Sequence, residues 1–214
     1  MKPSTPTHQT WKPGTLLYPV PVVLVGCGAR DEKPNLITVA WAGIVCSDPP
    51  MLSVSIRPER HSHGIISRTR AFTVNQVTRD LVRAADWCGV KSGRLVDKFR
   101  EMGLTPVRAS RVDAPLVAQS PMQLECRVEA IHRLGTHDLF LAEILAVNVD
   151  ERHIDRHSGA LRFPGTQPVC FGHGAYYALG ECLGTFGHSV RKAKGPPGPR
   201  RPIPPGRGRP EAAP

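Results

Sequence analysis

Alternation of apolar and polar positions organises most of this chain. Leu52, Val54 and Ile56 alternate with Ser53 and Ser55, the period of a strand with one buried and one polar face. The two serines face either a ligand or water. Val20 to Cys27 is a β-branched run that predicts a strand, and Leu36–Ala42, Met51–Ile56 and Ala71–Val77 predict three more. Pro121–His132 and Asp138–Val149 predict two long strands joined by a hairpin at Gly135 and Thr136. Leu139, Phe140, Leu141, Ile144 and Leu145 crowd both faces of the last strand, which predicts burial on both sides. Turns fall at Gly26 to 34 and at Asp48-Pro49-Pro50.

Helical spacing is rarer. Ser62 to Arg70 predicts a short helix with Ser62 as N-cap, and Asp80 to Trp87 a second. Leu95, Val96, Phe99 and Met102 recur at helical spacing before the stop at Gly103, a stripe that predicts core packing. Pro3, Pro6, Pro13 and Pro19 keep residues 1–19 irregular. Many strands at short intervals with few helices predict a mainly β fold, a closed or split β-barrel. The absence of repeating strand–helix units argues against a doubly wound sheet.

Composition adds limits. A chain of 214 residues, 40% hydrophobic and 21% charged, suits one globular domain, with aliphatic strands supplying the core because aromatics are only 6%. No apolar run approaches the roughly 20 residues that span a bilayer, and MKPSTPTHQTWKPG has no signal-peptide core. A soluble, cytoplasmic protein without membrane partners is expected. The six cysteines form no CxxC pair, so free thiols are expected. The net charge of +10 is concentrated towards a Pro/Gly-rich end, and residues 193–214 read as a disordered basic tail after a domain over 14–192 and an irregular arm over 1–13. That distribution argues against a nucleic-acid partner as the purpose of the charge.

Several chemistries drop out. Gly26-Cys27-Gly28 follows a strand, but Asp31 and Glu32 come next and no helix opens there, so it is no dinucleotide fingerprint. GxSxG is absent. His61 with His63, His153 with His157, and Cys170 with His173 never complete a tetrahedral set, so no metal is expected. Cys46 reads as a packed thiol. Cys88, beside Lys91 and Arg94, is a redox candidate through a lowered pKa. Anion binding remains: Arg57, Arg60, His61, Ser62 and His63 cluster where a strand passes into a helix, whose first amides and dipole favour an anion. Lys91-Ser92-Gly93-Arg94 forms a second basic loop. Each alone reads as a solvated loop. Together with the small-residue strand Thr38-Val39-Ala40 they point to a phosphorylated cofactor.

PNLITVAWAGIVCSDPPMLSVSIRPERHSHGII, with AFTVNQ at Ala71–Gln76, GTHDLFLAEI at Gly135–Ile144, DWCGVKSGRLVDKF and AYYALGECLGTFGHSVRK, resembles the flavin reductase-like family of FMN-binding split barrels, in its flavoredoxin-type branch. Thr136, Ala142 and His188 depart from its usual Asp, Gly and aromatic residue. The resemblance implies a six-stranded Greek-key split barrel and a homodimer binding FMN near its interface. Asn35, Thr38, Val39, Ala40 and Trp41 would line the isoalloxazine edge, with Cys46 counted among the lining residues and Ser53 and Ser55 beneath the ring. Arg60, His61, Ser62 and His63 would approach the phosphate, supplemented by Lys91 and Arg94. His137 and His173 are candidates for the face where a nicotinamide stacks. The implied activity is transfer of electrons from NADH or NADPH through FMN to free flavin, ferric iron or a partner protein. The alternatives are an electron carrier not reduced directly by NAD(P)H and a non-enzymatic barrel for flavin or haem.

Overall fold

The computed structural model describes residues 7–190. Its strands are β1 (Val20–Pro21), β2 (Val23–Cys27), β3 (Asn35–Val39), β4 (Ala42–Ser47), β5 (Pro50–Ile56), β6 (Ala71–Gln76), β7 (Pro106–Arg108), β8 (Pro115–Val117), β9 (Met122–Arg133), β10 (Asp138–Val149), β11 (Val169–Gly172) and β12 (Ala175–Ala178). The α-helices are α1 (His61–Thr69), α2 (Val82–Val90) and α3 (Lys98–Glu101). Seven strands form one antiparallel sheet in the order β3-β2-β6-β9-β10-β5-β4. The sheet curls until β3, at one edge, approaches β5 near the other. The fold is a mainly β split barrel.

Strand alternation divides the core. Val25 and Cys27 of β2, with Ile37 and Val39 of β3, point inward with Phe72, Cys126 and Phe140. Leu24 and Leu36 point outward and pack with Ala85 and Cys88 of α2 and Phe99 of α3. Each fully buried large side chain contributes about 1.5–3 kcal/mol relative to exposure. The outer packing fixes α2 and α3 against β3, which matters because β3 leads directly into the cleft described below.

The chain divides into two compact units, Met1–Leu179 and Gly180–Pro214. In the second, the described residues include a 3-10 turn at His188–Val190, whose first ring nitrogen Nδ1 lies 3.0 Å from the Thr185 carbonyl. The predicted tail over 193–214 lies outside the described residues.

All six predicted strands are present and the large sheet has a seventh, but Val20–Cys27 breaks at Val22 into β1, which pairs with β11 in a separate three-stranded sheet, and β2 of the large sheet. The predicted Leu36–Ala42 strand ends at Val39, the chain bends through Ala40 and Trp41, and a separate edge strand, β4, follows. An apolar run continuous in sequence concealed that bend. Cys46 is half-buried in this exposed edge strand, where burial was expected. Only Phe140 and Ala142 of β10's apolar residues are fully buried, so burial on both sides was too strong a reading. Ser62 is not the cap of α1: Arg60 occupies that position, and Ser62 sits inside the first turn as an acceptor for Asn35. Leu95 is 85% exposed, because the helix there spans only Lys98–Glu101.

Candidate functional site

Where β3 leaves the sheet, Ala42 N–H donates to the Ala40 carbonyl (3.0 Å) and Ser55 N–H to the Trp41 carbonyl (2.8 Å). These bonds hold the bend between β3 and β4 against β5. The bend opens a cleft of about 260 Å³, lined by Thr38, Val39, Ala40, Trp41, Ser55 and His137, among others. Trp41 stacks at 6.3 Å and 28° on Tyr18, which meets Phe171 edge-on at 6.4 Å. The Thr38 hydroxyl donates to the Ala85 carbonyl of α2, tying the cleft wall to the outer layer. His137 arrives from the β9–β10 hairpin, its Nδ1 3.0 Å from the Thr136 hydroxyl.

One end of the cleft continues, through Ile37 and Arg60, into a smaller pocket of about 130 Å³. Arg60, His61, Ser62, Lys91, Gly93 and Lys98 line it. Helix geometry leaves the first amides of α1 without intrahelical acceptors, and His61 and Ser62 carry them. The Arg60 guanidinium donates to the Gly89 carbonyl. Lys98 is 3% exposed, and its Nζ donates to the Leu36 and Cys88 carbonyls, both at 2.7 Å. That leaves one of its three N–H donors for the pocket. Burial, with Arg60 nearby, pushes Lys98 down to about 8. Burial also lowers His61, helped by the charges of Arg94, Lys98 and Lys33. Glu59 is the single acidic residue on this lining, and it pairs with Arg57 at 3.3 Å. A concentration of mutually destabilising cations favours an anionic ligand.

Asn35 closes the floor. Its Nδ2 donates to Ser62 Oγ at 2.7 Å, and its Oδ1 is buried without a partner. Gly93 lies so near that a Cβ there would come within 1.9 Å of that oxygen, so the second basic loop reaches the first only because residue 93 is glycine.

The profile of the family described as Flavin reductase like domain matches residues 15–180. The chain belongs to that family. It is 38% identical to the flavoredoxin of Desulfovibrio vulgaris (Miyazaki F), with a TM-score of 0.79 over 86% of this chain and 100% of that one. A protein of Pyrococcus abyssi is 30% identical over 148 residues, 69% of this chain and 84% of the relative. The reductase component of a Rhodococcus opacus 4-nitrophenol 4-monooxygenase/4-nitrocatechol 2-monooxygenase is 28% identical over 58% of this chain and 63% of its own length.

In this flavin reductase-like chain, Thr38, Val39, Ala40, Trp41, Ser55 and His137 line the cleft, and Arg60, His61, Ser62 and Lys91 the basic end, with Asn35 beneath. Other expected site residues go elsewhere. Ser53 pairs with Gly43 and Leu141 within the sheet and is not on the lining. Cys46 Sγ lies 3.4 Å from the Asp48 carbonyl in β4. His63 turns away to Asp138, 2.8 Å from Nε2, and packs edge-on against Phe140. Arg94 is exposed, and only its charge is felt at His61. His173 sits at the β11–β12 turn with φ 47° and meets Tyr18 edge-on at 6.3 Å, off the cleft lining.

Cys88 requires a correction. Its thiol is fully buried in the outer core, and burial pushes it up to about 11 rather than down. The neighbouring cation is Lys98, which reaches the Cys88 carbonyl and not the redox-relevant sulfur. Cys88 is therefore expected to resist iodoacetamide at neutral pH while the exposed Cys182 is labelled. Peptide mass spectrometry after brief labelling checks this, and modification of Cys88 at the rate of Cys182 would contradict the assignment.

The residue that sequence reasoning missed is Lys98. It stands within an amphipathic stretch where a lysine reads as a solvated face. Phe171 was missed because β11 and β12 carry no strong strand signal.

Proposed function

We propose that this chain is an FMN-binding oxidoreductase that takes electrons from NADH or NADPH and passes them to an acceptor such as free flavin, ferric iron or a partner protein. The observation that carries the reading is the continuity of an apolar, Trp41-walled cleft with a buried cationic end. FMN fits both parts. Its flat ring suits the surfaces of Val39, Ala40 and Trp41, and its phosphate suits the end where Lys98 keeps a free donor and Arg60 and Lys91 add charge. Bound there, FMN would supply reversible two-electron and one-electron chemistry. The chain's own residues would bind, orient and shield it. Thr38 is immobilised by its bond to α2, Ser55 offers a hydroxyl on the β5 side, and Trp41 with Tyr18 and Phe171 excludes water from one flank.

A homodimer belongs to the same proposal. Ile44 and Val45 are 67% and 53% exposed on β4, an edge strand whose outer side has no partner strand among the described residues. Exposed apolar edge strands invite pairing or coverage. A second reading, an electron carrier not reduced directly by a nicotinamide, is favoured by the similarity to flavoredoxin. Anaerobic titration of flavin-loaded protein separates the two. Bleaching of the flavin band by NADH or NADPH supports the oxidoreductase. Bleaching by dithionite alone assigns the carrier, and a protein that takes up no FMN overturns both.

Lys98 sets an expected pH dependence. The second phosphate proton is lost near about pH 6, whereas Lys98 keeps its charge only up to about 8. As the folded value is depressed, the cation disappears earlier than in a solvated lysine. FMN affinity should therefore be highest between those limits and fall as pH rises through the Lys98 value. Riboflavin, lacking phosphate, should show no such fall. Fluorescence quenching titrations of both ligands across that range check it, and parallel curves would detach Lys98 from the phosphate.

A further inference from the structure

Lys98 is the most buried cation of the basic end, and its partners fix how it can react. Its Nζ donates to two carbonyl oxygens, of Leu36 on β3 and Cys88 on α2, each at 2.7 Å. A carbonyl oxygen can only accept. A neutral amine still has two N–H groups and keeps both on these oxygens, so loss of the ammonium proton breaks no hydrogen bond within the protein. The lone pair then takes the one tetrahedral direction left, where no third acceptor stands among the described residues. Arg60 is its neighbour, because the two side chains bond the successive carbonyls of Gly89 and Cys88.

The groups around Nζ favour that neutral form. Burial, with the charge of Arg60, brings the amine down to about 8. The thiols of Cys88 on α2 and Cys27 on β2 also act on it, but burial pushes each up to about 11, so neither supplies an anion. His61 and Lys91 share its pocket, and Arg94 and Lys33 add their charge at His61. Glu59, the one carboxylate on the lining, pairs with Arg57. An amine that loses its proton readily thus stands in a cationic pocket of about 130 Å³. That is room for roughly four waters, which suits a phosphate with a few further atoms.

We propose that this pocket is a self-acylation site, in which Lys98 is modified by a small acyl phosphate whose phosphate is held by Arg60, Lys91 and the first amides of α1. In an acyl phosphate the reactive carbonyl carbon is joined to phosphorus through a single oxygen, so a phosphate anchored here brings that carbon to Nζ. A phosphorylated aldehyde carries its carbonyl several bonds further out, beyond a pocket of this size. Attack by Nζ forms the C–N bond and breaks the C–O bond to the phosphate, whose oxygen keeps the electron pair. The proton given up by nitrogen ends on the released hydrogen phosphate. The cations that anchor the phosphate also stabilise it as it leaves. The product amide has one N–H where the amine had two, so the Leu36 or the Cys88 carbonyl loses its donor, and the pocket loses a positive charge. The site does not depend on the flavin reading. Where that reading holds, acylation also lowers FMN affinity and spares riboflavin.

The test uses the full chain, dialysed at high salt to strip bound anions, then incubated with acetyl phosphate and read by peptide mass spectrometry. The exposed Lys12 serves as internal reference. Lys98 is expected to be acetylated at least about tenfold faster than Lys12, with a rate that levels off above about pH 8. Inorganic phosphate should protect Lys98 and leave Lys12 unchanged. Acetic anhydride, an acyl donor with no phosphate, should reverse the order. Lys91→Gln, an exposed substitution, should slow the reaction at Lys98 several-fold and not at Lys12. The proposal is overturned if Lys98 reacts no faster than Lys12 with acetyl phosphate, or if inorganic phosphate gives no protection. It is also overturned if Lys98 leads with both reagents, which would mean an amine reactive without an anchor. Protection by inorganic phosphate but not by FMN would leave this site standing and sink the flavin reading instead.

Discussion

Replacing Arg60 and Ser62 together by alanine should weaken FMN binding by about 10² to 10⁴-fold while leaving riboflavin binding within a few-fold. Hydrogen bonds to a charged group contribute about 1.5–3 kcal/mol each, so losing two removes about 3–6 kcal/mol, which gives that range. Both residues also have duties in the free protein. Arg60 holds the Gly89 carbonyl at the end of α2, and Ser62 Oγ accepts from Asn35. Some stability is therefore lost with the affinity. Riboflavin separates the two effects, since under the proposed placement it would occupy the ring cleft and, lacking the phosphate, make no demand on the basic end. Loss for FMN alone identifies the basic end as the phosphate site. An equal loss for both ligands would mean that the substitutions deform the cleft, and unchanged FMN affinity would place the phosphate elsewhere.

The same residues show what the sequence discloses and where it stops. The strand set was legible because Leu52, Val54 and Ile56 alternate with serines and because β9 and β10 are long and joined by a short turn. The grouping of Arg60, His61 and Ser62 on one pocket was legible because they lie together in sequence and enter the same helix start. The bend at Ala40 and Trp41 was not, since hydrophobic continuity carries no record of a change in strand direction. Lys98 was not, because its burial depends on the Leu36 and Cys88 carbonyls, which local patterning does not reveal. His63 shows the opposite error. Its neighbours in sequence line the basic end, but a helix turns successive residues by about 100°, and residue 63 faces Asp138 instead. Proximity in sequence to a site is not membership of it, because helix geometry sets which way each residue faces. Cys88 erred similarly: Lys91 and Arg94 are close along the chain, but the thiol points into the outer core.

Glu125→Ala should be among the most damaging single substitutions for stability, costing about 4 kcal/mol and lowering Tm by roughly 8–16 °C. Glu125 is fully buried on β9, between Thr73 of β6 and Ala146 of β10. Its Oε1 accepts from Ser110 N–H (3.1 Å), Ser110 Oγ (3.0 Å) and Asn148 Nδ2 (2.9 Å), and its Oε2 accepts from Arg111 N–H at 2.5 Å. Alanine leaves all four donors without their acceptor. Burial by itself raises this carboxyl, but Asn148, Arg111 and Ser110 together more than offset it, and the net displacement is downward. A carboxylate depressed in the folded state stabilises above its unfolded value, and that contribution is lost as pH falls through the folded value. The variant should therefore be less stable at neutral pH and show a shallower loss of stability on acidification than wild type. None of these groups lines the Trp41-walled cleft or its basic end, so FMN affinity measured well below the lowered Tm should be retained. Chemical denaturation across the acid range, paired with FMN titration, checks both halves. A Tm within about 2 °C of wild type would show that the 110–111 loop does not depend on the carboxylate.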